Sequence, residues 1–479
     1  MCRQATSLFQ EVDVVCRDGN VVTPVARLCY DSRKVRPQSL FVALRGRYHD
    51  GHAFVEQAYE RGACVVVGER SFSPPPGKTY VQVANSRRAL AQLANAFYAH
   101  PTRKLFVVGV TGTKGKTSVA HFGAAALGNA RCLSTITNVA EGLLNTTPES
   151  LEVQRLAAEA LQRGKSQFVL EVSSHALVTQ RVLGLDVDVA VFTNLSQDHF
   201  DDFDGFEAYF EAKARLFKTL KPTAVALLNE DDPYGQRLLE QTSARVVRYG
   251  LGATCDLRAT DLQLERDRSR FVVHAPTGSF PLSTHFPGAF NVYNLLAAVG
   301  VGLAAHVPVD QIVARLEAIT HLDGRFERYR TASGVTVVVD FAHSPDSLQQ
   351  MIAFLKQHYT RVLTLFGCGG ESDPFKRPLM GRISGELSDY TLITHDNPKH
   401  EDPQSILDQI EAGIRPVCGH YEVIPDRRAA LRRALAWAGP GECVFVAGKG
   451  HERSQIFGSD EVPFHDGAFV VDELGATRC

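Results

Sequence analysis

The chain has 479 residues, of which 44% are hydrophobic and 22% are charged, and its formal net charge at pH 7 is −2. These values are ordinary for globular proteins, and the length predicts about three domains. A nearly neutral chain without a basic run does not favour nucleic acid or an anionic membrane as a partner. No apolar stretch approaches the roughly 18 residues of a membrane span, and the N-terminus lacks the pattern of a signal peptide.

The ten cysteines are scattered singly, without a Cys-x-x-Cys pair or a cysteine–histidine cluster. This spacing indicates neither a zinc site nor a disulfide framework. We therefore expect a reduced, cytoplasmic protein.

The first hundred residues alternate short β-like runs with helical ones. We predict strands at 39–44 and 63–67 and helices at 53–60 and 86–99. The tripeptide Asp31-Ser-Arg33 precedes the first of these strands. On its own it is more typical of a turn with a satisfied arginine than of a binding site.

Residues 105–118 read Leu-Phe-Val-Val-Gly-Val-Thr-Gly-Thr-Lys-Gly-Lys-Thr-Ser. The apolar start predicts a buried strand that ends at Gly109, and the nine residues after this stretch have a helical pattern. A glycine turn between strand and helix predicts phosphate binding, with Lys116 reaching the outer phosphates and the Thr117 hydroxyl holding Mg²⁺. Five residues rather than four separate Gly109 from Gly115, so the strict nucleotide loop is not matched. The alternative is an ordinary glycine-rich turn without a ligand. We favour a phosphate-binding loop whose ligand is ATP.

Side chains capable of holding a metal follow the next strands. Residues 168–172 form a hydrophobic run with Glu171 near its end, and the run at 186–192 leads into Asp198 and His199. A carboxylate at the carboxyl end of a strand beside a phosphate-loop strand is well placed to hold Mg²⁺. Either group alone would more often be a capped or surface residue. Their joint position at strand ends of one nucleotide domain favours a metal role.

The rest of the central region has three further features. Lys213 lies at the centre of a predicted helix at 209–217 and, by pattern alone, is a surface lysine. Residues 254–284 predict a β meander. The next helix carries Asn291 and Asn294 in its first turn, and these side chains either cap the helix or hydrogen-bond a base.

A glycine turn at His321-Leu-Asp-Gly-Arg325 predicts a hinge. After it, four predicted strands end in polar loops, namely Asp340-Phe-Ala-His343, Gly367-Cys-Gly-Gly370, His395-Asp-Asn-Pro-Lys399 and Gly448-Lys-Gly-His-Glu452. We therefore predict a parallel sheet whose ligand-facing loops gather at one edge. The expected fold is α/β in three domains at 1–100, 101–324 and 325–479, with a central P-loop-type nucleotide-binding sheet domain and a Rossmann-like C-terminal domain.

Taken in order, these motifs resemble those of the Mur ligase family, most closely its UDP-N-acetylmuramyl-tripeptide synthetases. The segments that carry the resemblance are Thr111-Gly-Thr-Lys-Gly-Lys-Thr117, Glu171-Val-Ser-Ser-His175, Thr193-Asn-Leu-Ser-Gln-Asp-His199, Phe290-Asn-Val-Tyr-Asn294, Asp340-Phe-Ala-His343, Lys376-Arg-Pro-Leu-Met-Gly381, Asp396-Asn-Pro398 and Gly448-Lys-Gly-His-Glu452. The resemblance implies a cytoplasmic ATP-dependent ligase of peptidoglycan synthesis, and hence of cell-wall growth and division. Such a ligase joins an amino acid to the D-glutamate of UDP-N-acetylmuramoyl-L-alanyl-D-glutamate through an acyl phosphate. It leaves the oligomeric state open.

The resemblance also assigns roles to residues that patterning left open. ATP would be held by Gly112, Thr113, Lys114, Gly115, Lys116, Thr117, Ser118, Asn291, Asn294 and Arg325. The UDP-muramoyl dipeptide would contact Ser32, Thr146, Thr147, Ser173 and Arg181, and the incoming amino acid Arg377, Asp396, Asn397, Pro398, Lys399, Gly448 and Glu452. Two Mg²⁺ ions would be held by Thr117, Glu171, His199 and Lys213, the last carrying a CO₂-derived carbamate. Catalysis would involve Lys116, Lys213, His199, Asp340 and His343.

Three positions depart from the family pattern. Lys114 stands where asparagine is usual, Phe341 replaces a tyrosine, and Lys399 replaces an arginine. Arginine grips a carboxylate with a planar fork, whereas lysine is a point charge. The segment at 368–375 also differs from the usual loop. The added amino acid therefore stays open among meso-diaminopimelate, lysine, ornithine and other diamino acids.

Two alternative functions remain at this point. The first is a sister Mur ligase or a folylpolyglutamate-type ligase with another acceptor, against which the Asp31-Ser-Arg33 segment and the Gly448–Glu452 motif argue. The second is a nucleotide-binding regulator that has lost ligase activity. The presence of four residues argues against that, namely Lys116, Glu171, His199 and Lys213.

Overall fold

The computed structural model describes residues 2–19, 23–46, 49–143, 145–196, 203, 205–473 and 475–479. The strands are β1 Arg3–Gln4, β2 Val14–Asp18, β3 Pro24–Val25, β4 Arg27–Cys29, β5 Ser39–Val42, β6 Ala63–Gly68, β7 Thr79–Val83, β8 Phe106–Thr111, β9 Ala130–Leu133, β10 Gln167–Glu171, β11 Val189–Phe192, β12 Val225–Asn229, β13 Arg245–Gly250, β14 Leu257–Leu264, β15 Ser269–Ala275, β16 Gly278–Thr284, β17 Glu327–Arg330, β18 Thr336–Asp340, β19 Val362–Phe366, β20 Tyr390–Ile393, β21 Tyr421–Val423, β22 Cys443–Ala447, β23 Ser454–Phe457, β24 Asp460–Pro463 and β25 Thr477–Arg478. The helices are α1 Ala5–Leu8, α2 Val55–Glu60, α3 Ser86–Phe97, α4 Lys116–Leu127, α5 Thr135–Ala140, α6 Ser150–Gln162, α7 Ser174–Val178, α8 Gly205–Lys218, α9 Pro233–Leu238, α10 Ala289–Ala304, α11 Val309–Glu317, α12 Pro345–His358, α13 Lys376–Leu387, α14 Pro403–Ile414, α15 Arg427–Trp437 and α16 Asp466–Asp472.

The N-terminal sheet has the strand order β2-β7-β6-β5-β4. Strands β4 to β7 run parallel, and β2 joins the β7 edge antiparallel. Every residue of β5 and β6 is buried, which suits parallel strands covered on both faces. The cover comes from α2 on one face and from α1 and α3 on the other.

The central sheet has the strand order β16-β15-β14-β13-β12-β11-β8-β10-β9. Strand β8 lies between β10 and β11 and runs parallel to both, so the three carboxyl ends meet at one edge. Helices α4, α10 and α11 pack on one face of the sheet, and α6 and α8 pack on the other. Strand β8, which leads into the phosphate loop, is therefore an interior strand covered on both faces.

Most predicted elements of the central region are confirmed, but some limits are wrong. Strand β8 continues to Thr111 because its last residues pair with both neighbouring strands, and α4 begins at Lys116. Strand β11 begins only at Val189. The two preceding aspartates instead accept hydrogen bonds from Lys221 Nζ at 2.9 and 2.7 Å. The predicted meander is confirmed as the antiparallel strands β14 to β16.

The C-terminal sheet has the strand order β21-β20-β19-β22-β18-β17-β25. Strands β18 to β22 are parallel, while β17 and β25 run antiparallel at one edge. Asp340 at the end of β18 pairs with Ala447 at the end of β22, and the ends of β19 and β20 also pair. The polar loops after these strands therefore gather at one edge, as predicted.

The α/β fold class with parallel sheets is thus confirmed. The domain limits at residues 100 and 324 stay predictions. Within the described residues, no helix has both the length and the apolar composition needed to cross a bilayer.

Candidate active site

The phosphate loop connects β8 to α4 and depends on two glycines. Gly112 and Gly115 have φ angles of 144° and 81°, in the region that favours glycine. A Cβ on Gly112 would lie 1.9 Å from Thr193 Oγ1, and one on Gly115 would lie 2.4 Å from Asn294 Oδ1. The loop therefore passes close to both neighbours only because these side chains are absent.

Backbone hydrogen bonds fix the middle of this loop. The N–H of Thr113 donates to Asn194 O at 2.8 Å, and the N–H of Lys114 donates to Asn194 Oδ1 at 2.9 Å. The carbonyl oxygen of Lys114 accepts from Thr193 Oγ1 at 2.6 Å and from Asn194 Nδ2 at 3.2 Å. Because these bonds use the backbone of residue 114, they form equally well with lysine or asparagine at that position.

The start of α4 supplies cationic and hydroxyl groups. Lys116 Nζ donates to Gly112 O at 3.0 Å and to Thr113 O at 2.8 Å, and Ser118 lies in the same first turn. Thr117 Oγ1 accepts a hydrogen bond from Arg325 Nη2 at 3.0 Å. The free N–H groups of a helix start and a nearby ammonium together form an anion-binding site.

Glu171 ends β10 and is buried beside the loop. Its Oε1 accepts from the backbone N–H of Thr135 at 2.7 Å and from Thr135 Oγ1 at 3.3 Å. Thr135 begins α5, a helix that sequence reasoning missed although Ser134 and Thr137 form a capping box there. His121 of α4 lies 2.8 Å from Ser134 Oγ, and burial lowers the pKa of His121 to about 4.

The residues predicted to hold the muramoyl dipeptide converge next to Glu171. Thr147 Oγ1 donates to Glu171 O at 2.8 Å and accepts from the N–H of Ser173 at 3.0 Å. Arg181 Nη1 donates to Thr147 O at 3.1 Å, and Thr146 Oγ1 lies 3.3 Å from Thr135 Oγ1. These four predicted residues therefore share one network with the predicted metal ligand.

Ser32 belongs to the N-terminal sheet domain. It starts a 3-10 turn, Ser32–Lys34, and Asp31 caps that turn by accepting from the N–H of Arg33. Its hydroxyl donates to Gln57 Oε1 at 3.1 Å and is largely buried. The structure thus gives this residue a local turn role, and contact with UDP stays a prediction.

The pattern-based placement of Lys213 on the surface is wrong. Only 1% of this residue is exposed, because its helix packs Phe210, Ala214 and Phe217 into the core while Lys213 faces the phosphate loop. Its Nζ donates to Gly112 O at 2.9 Å and lies 4.2 Å from the ring centroid of Tyr209. A buried ammonium is costly, which favours a functional reason for it.

The predicted metal-ligand set is only partly described. His199 and the neighbouring Asp198 lie outside the described residues. Among the residues that are described, no three or more histidine, cysteine, aspartate or glutamate side chains group as a metal site. The described oxygen donors are the Thr117 hydroxyl and the Glu171 carboxylate, which are of the type that Mg²⁺ prefers.

The two asparagines of α10 are buried at the phosphate loop. Asn291 Nδ2 donates to Pro287 O at 2.9 Å, and Asn294 Nδ2 donates to Asn291 Oδ1 at 3.2 Å. Both predicted roles therefore remain compatible with the structure, since one amide bonds the helix start and the other lies against Gly115.

The segment at 321–325, predicted to be a hinge, connects the central and C-terminal sheets. Arg325 bonds Thr117, and its guanidinium carbon lies 4.8 Å from the ring centroid of Phe341. The phenylalanine found in place of tyrosine thus keeps the aromatic face that the arginine contacts. Gly324 has a φ of 64°, and a Cβ there would lie 2.1 Å from the N of His451. The Gly448–Glu452 loop therefore packs directly on the hinge.

Asp340 and His343 follow β18 next to this hinge. Asp340 Oδ2 accepts from the N–H of Phe326 at 2.7 Å. Burial raises the pKa of Asp340 to about 6, and the Arg325 charge opposes that rise. His343 Nδ1 lies 2.7 Å from Phe341 O. Both predicted catalytic side chains are thereby held at the joint between the two sheets.

Several predicted amino-acid-binding residues form one cluster. Asn397 Nδ2 donates to Glu452 Oε2 at 2.7 Å. Gly448 has a φ of 104°, and a Cβ there would lie 2.6 Å from Asp396 Oδ2. Pro398 is buried, and Lys399 has a φ of 54° with its N–H donating to Ile456 O at 2.9 Å.

Arg377 is placed differently. It is fully buried, and its guanidinium forms a two-pronged pair with Glu401 at 2.5 and 2.8 Å. It also donates to Gln409 Oε1 at 3.0 Å. Sequence reasoning missed Glu401 as its partner. Direct contact between Arg377 and an amino acid stays a prediction.

Models of three Mur ligase domains match the chain: "Mur ligase family, catalytic domain" over residues 24–98, "Mur ligase middle domain" over 110–302, and "Mur ligase, glutamate ligase domain" over 324–450. A UDP-N-acetylmuramoyl-L-alanyl-D-glutamate–2,6-diaminopimelate ligase of Caldanaerobacter subterraneus subsp. tengcongensis is 39% identical, covering 96% of this chain and 97% of the relative. The chain belongs to the Mur ligase family.

A ligase of the same name from Geobacillus kaustophilus is 41% identical to this Mur ligase, covering 93% of this chain and 94% of the relative. Among solved structures, a UDP-N-acetylmuramoyl-L-alanyl-D-glutamate–2,6-diaminopimelate ligase superposes with a TM-score of 0.65 at 28% identity. That match covers 99% of each chain. The likeness therefore extends over the N-terminal, central and C-terminal sheets of this Mur ligase.

Proposed function

We propose that this Mur ligase joins 2,6-diaminopimelate to the D-glutamate carboxyl of UDP-N-acetylmuramoyl-L-alanyl-D-glutamate, with ATP converted to ADP and phosphate. The reaction would be a cytoplasmic step of peptidoglycan synthesis. The observation that carries the proposal is the hinge. There Arg325 bonds Thr117 at the start of α4, while the adjacent Gly324 packs on the loop that ends at Glu452. Relatives at about 40% identity over nearly the whole chain, named for this reaction, support the choice of substrates.

The chemistry needs a phosphate site and an amine site that meet. A carboxylate is a poor electrophile, so its oxygen first attacks the γ-phosphorus of ATP and ADP leaves. The amine nitrogen then attacks the acyl carbon of the resulting acyl phosphate, and inorganic phosphate leaves. In this chain Lys116 and the N–H groups at the start of α4 would face the phosphates and stabilise the charge on the transferred group.

Thr117 and Glu171 would hold Mg²⁺, which neutralises phosphate charge when bound. Mg²⁺ commonly keeps several waters and binds through one or two carboxylates together with substrate phosphates. One carboxylate and one hydroxyl match this mode of binding. Hydrogen bonds from Thr135 to Oε1 hold the Glu171 carboxylate in place. His199 would complete the set.

Lys213 would carry a carbamate. The ammonium would first lose a proton, and the neutral amine would then attack CO₂, forming an N–C bond and releasing a second proton. A buried cation would thereby become an anion. The position of Nζ against Gly112 O, inside the phosphate loop, supports a role for that anion at the metal site. Asn291, Asn294 and Arg325 would contact the nucleotide.

The dipeptide and the amino acid would approach from opposite sides of the hinge. Thr146, Thr147, Ser173 and Arg181 would hold the muramoyl dipeptide beside Glu171, with Ser32 toward UDP. The side chains of Asp396, Asn397 and Glu452, with Gly448 and Lys399, would receive the diamino acid. Two carboxylates in that cluster favour a substrate that brings an ammonium group.

Phosphate release by the purified protein tests the proposal. The assay contains ATP, Mg²⁺, the muramoyl dipeptide and one of meso-diaminopimelate, L-lysine or L-ornithine. We expect release that requires the dipeptide and is fastest with diaminopimelate. Release with none of the amino acids would contradict the ligase function. Faster release with lysine or ornithine would contradict only the choice of amino acid.

A further inference from the structure

Lys449 is a second fully buried lysine, and each N–H of its ammonium group has a hydrogen-bond acceptor. None of its side chain is exposed. Its Nζ donates to Asn397 Oδ1 at 3.0 Å, to Glu452 Oε2 at 3.0 Å and to Ser454 O at 2.7 Å. An ammonium has three N–H donors, so each has an acceptor.

These bonds set the orientation of the Asn397 amide. Its Oδ1 accepts from Lys449 and also from the N–H of Ile456 at 3.2 Å. Its Nδ2 therefore faces Glu452 Oε2, to which it donates at 2.7 Å. A flipped amide would place its NH₂ group against the ammonium, with no acceptor for either.

The same bonds hold Glu452 by one oxygen only. Oε2 accepts from both Asn397 and Lys449, whereas Oε1 has no hydrogen-bond partner among the residues that the structure describes. About a third of the side chain, 32%, is exposed. One carboxylate oxygen is thus anchored, and the other is left to accept a hydrogen bond from a ligand.

Lys449 also sets the charge of this cluster. Asp396 Oδ1 lies 3.8 Å from Nζ, so the cluster contains two carboxylates and one ammonium. Burial and the nearby Asp396 raise the pKa of Glu452, while Lys449 and Asn397 oppose that rise. Without the ammonium, the two carboxylates would repel each other and Glu452 would take up a proton more readily.

We propose that Lys449 is a positioning residue for the incoming amino acid. It anchors one oxygen of Glu452 and orients the Asn397 amide. The cluster then presents one acceptor oxygen and a single net negative charge to the substrate's amino group. The inference rests on the proposed function, since it assigns this cluster to the amino-acid substrate.

Steady-state kinetics of Lys449→Met test the inference. We expect the KM for diaminopimelate to rise at least roughly tenfold, because a hydrogen bond to a charged group is lost. The kcat, measured at saturating diaminopimelate, should stay close to that of the wild type. The KM values for ATP and for the muramoyl dipeptide should stay within about twofold of the wild-type values, because neither substrate is assigned to this cluster. In a Glu452→Gln background the same substitution should raise the KM for diaminopimelate less.

Lys356→Met is the matched control in the same domain. Lys356 lies on α12, is 36% exposed and pairs with Asp389 at 2.7 Å. It should leave all three KM values unchanged. If Lys449→Met does not fold, as judged by circular dichroism, Lys449→Gln takes its place, because its amide is polar but has only two N–H donors and no charge.

The possible outcomes separate the two proposals. An inactive wild-type protein would overturn the proposed function. An active wild type, with folded Lys449 variants whose KM for diaminopimelate is unchanged or whose kcat alone falls, would overturn this inference only. Failure of both Lys449 variants to fold would also overturn it, since the lysine would then be purely structural.

Discussion

The proposed phosphate end and the proposed amino-acid end of the site are built by opposite means. At the phosphate loop, glycine backbone and the side chain of Asn194 fix the path of the chain, and the cations lie against backbone carbonyls. At the Gly448–Glu452 loop, a buried ammonium fixes the side chains of Asn397 and Glu452. The net charge of that cluster is negative. An anionic ligand can be held by a shaped backbone, whereas a cationic one needs carboxylates that must be kept apart and correctly turned.

Two buried lysines mark this contrast. Lys213 lies under the phosphate loop, with Nζ on Gly112 O and over the Tyr209 ring. Lys449 lies under the amino-acid loop, bonded to Asn397 and Glu452. We propose that the first is converted to an anion, while the second stays a cation because it balances carboxylates.

The largest effect should come from Lys213→Ala. Loss of the proposed carbamate would remove an anion that helps to hold Mg²⁺ beside the transferred phosphate, so turnover should fall by at least roughly a thousandfold. A short carboxylic acid that fills the gap should restore part of it, and bicarbonate should not. Phosphate release is the measurement.

Lys218→Ala is the matched control on the same helix. Lys218 is 42% exposed and pairs with Glu211 at 2.6 Å, so its loss should leave turnover unchanged. Full activity of Lys213→Ala without additives would rule out the carbamate and remove the contrast between the two lysines.

The next effect concerns stability of the amino-acid end. Arg427 and Asp466 form a fully buried two-pronged pair at 2.8 Å, and Arg427 also donates to Ala447 O at 3.0 Å, just before Gly448. Arg427→Met leaves a buried carboxylate alone, so the free energy of unfolding should fall by about 3–5 kcal/mol. Urea unfolding followed by circular dichroism measures it.

Arg427→Met combined with Asp466→Leu should recover much of that loss, because no uncompensated charge remains. The exposed pair of Lys356 and Asp389 offers the comparison, with an expected cost below about 1 kcal/mol on removal of Lys356. Equal costs at the two pairs would show that burial does not govern how this loop is anchored.

A smaller effect should follow from Gly115→Ala. The new Cβ would lie 2.4 Å from Asn294 Oδ1, so the amide beside the loop must move. We expect ATP to bind roughly tenfold more weakly, measured by fluorescence titration of the nucleotide. Gly77→Ala is the control. Its φ of 75° carries the same backbone strain, but nothing lies within 4 Å of the added Cβ. Equal affinity for ATP in both variants would show that the close approach of Gly115 to Asn294 is not needed for nucleotide binding.

The sequence predicts much of this arrangement, because strand ends are easy to recognise. Val-rich runs followed by polar loops placed Glu171 and Asp340 at sheet edges, and the structure confirms both positions. Helical periodicity did carry a signal for the burial of Lys213, since Phe210, Ala214 and Phe217 lie on the same face of the helix. That the phosphate loop covers this face could not be read from the sequence. The Arg377–Glu401 pair and the bond from Lys449 to Asn397 join residues far apart in sequence, so no local pattern contains them.

The smallest expected effect concerns Lys114, the loop residue that departs from the family pattern. Its N–H and carbonyl oxygen bond the side chains of Thr193 and Asn194. Lys114→Asn keeps that backbone, so the KM for ATP should change by no more than about twofold in steady-state phosphate-release assays. Asn194→Ala removes the partner instead and should raise the same KM roughly tenfold, because two hydrogen bonds to the loop are lost together. If the two substitutions had equal effects, the side chain at 114 would matter as much as the backbone, and the phosphate end would depend on side chains as the amino-acid end does.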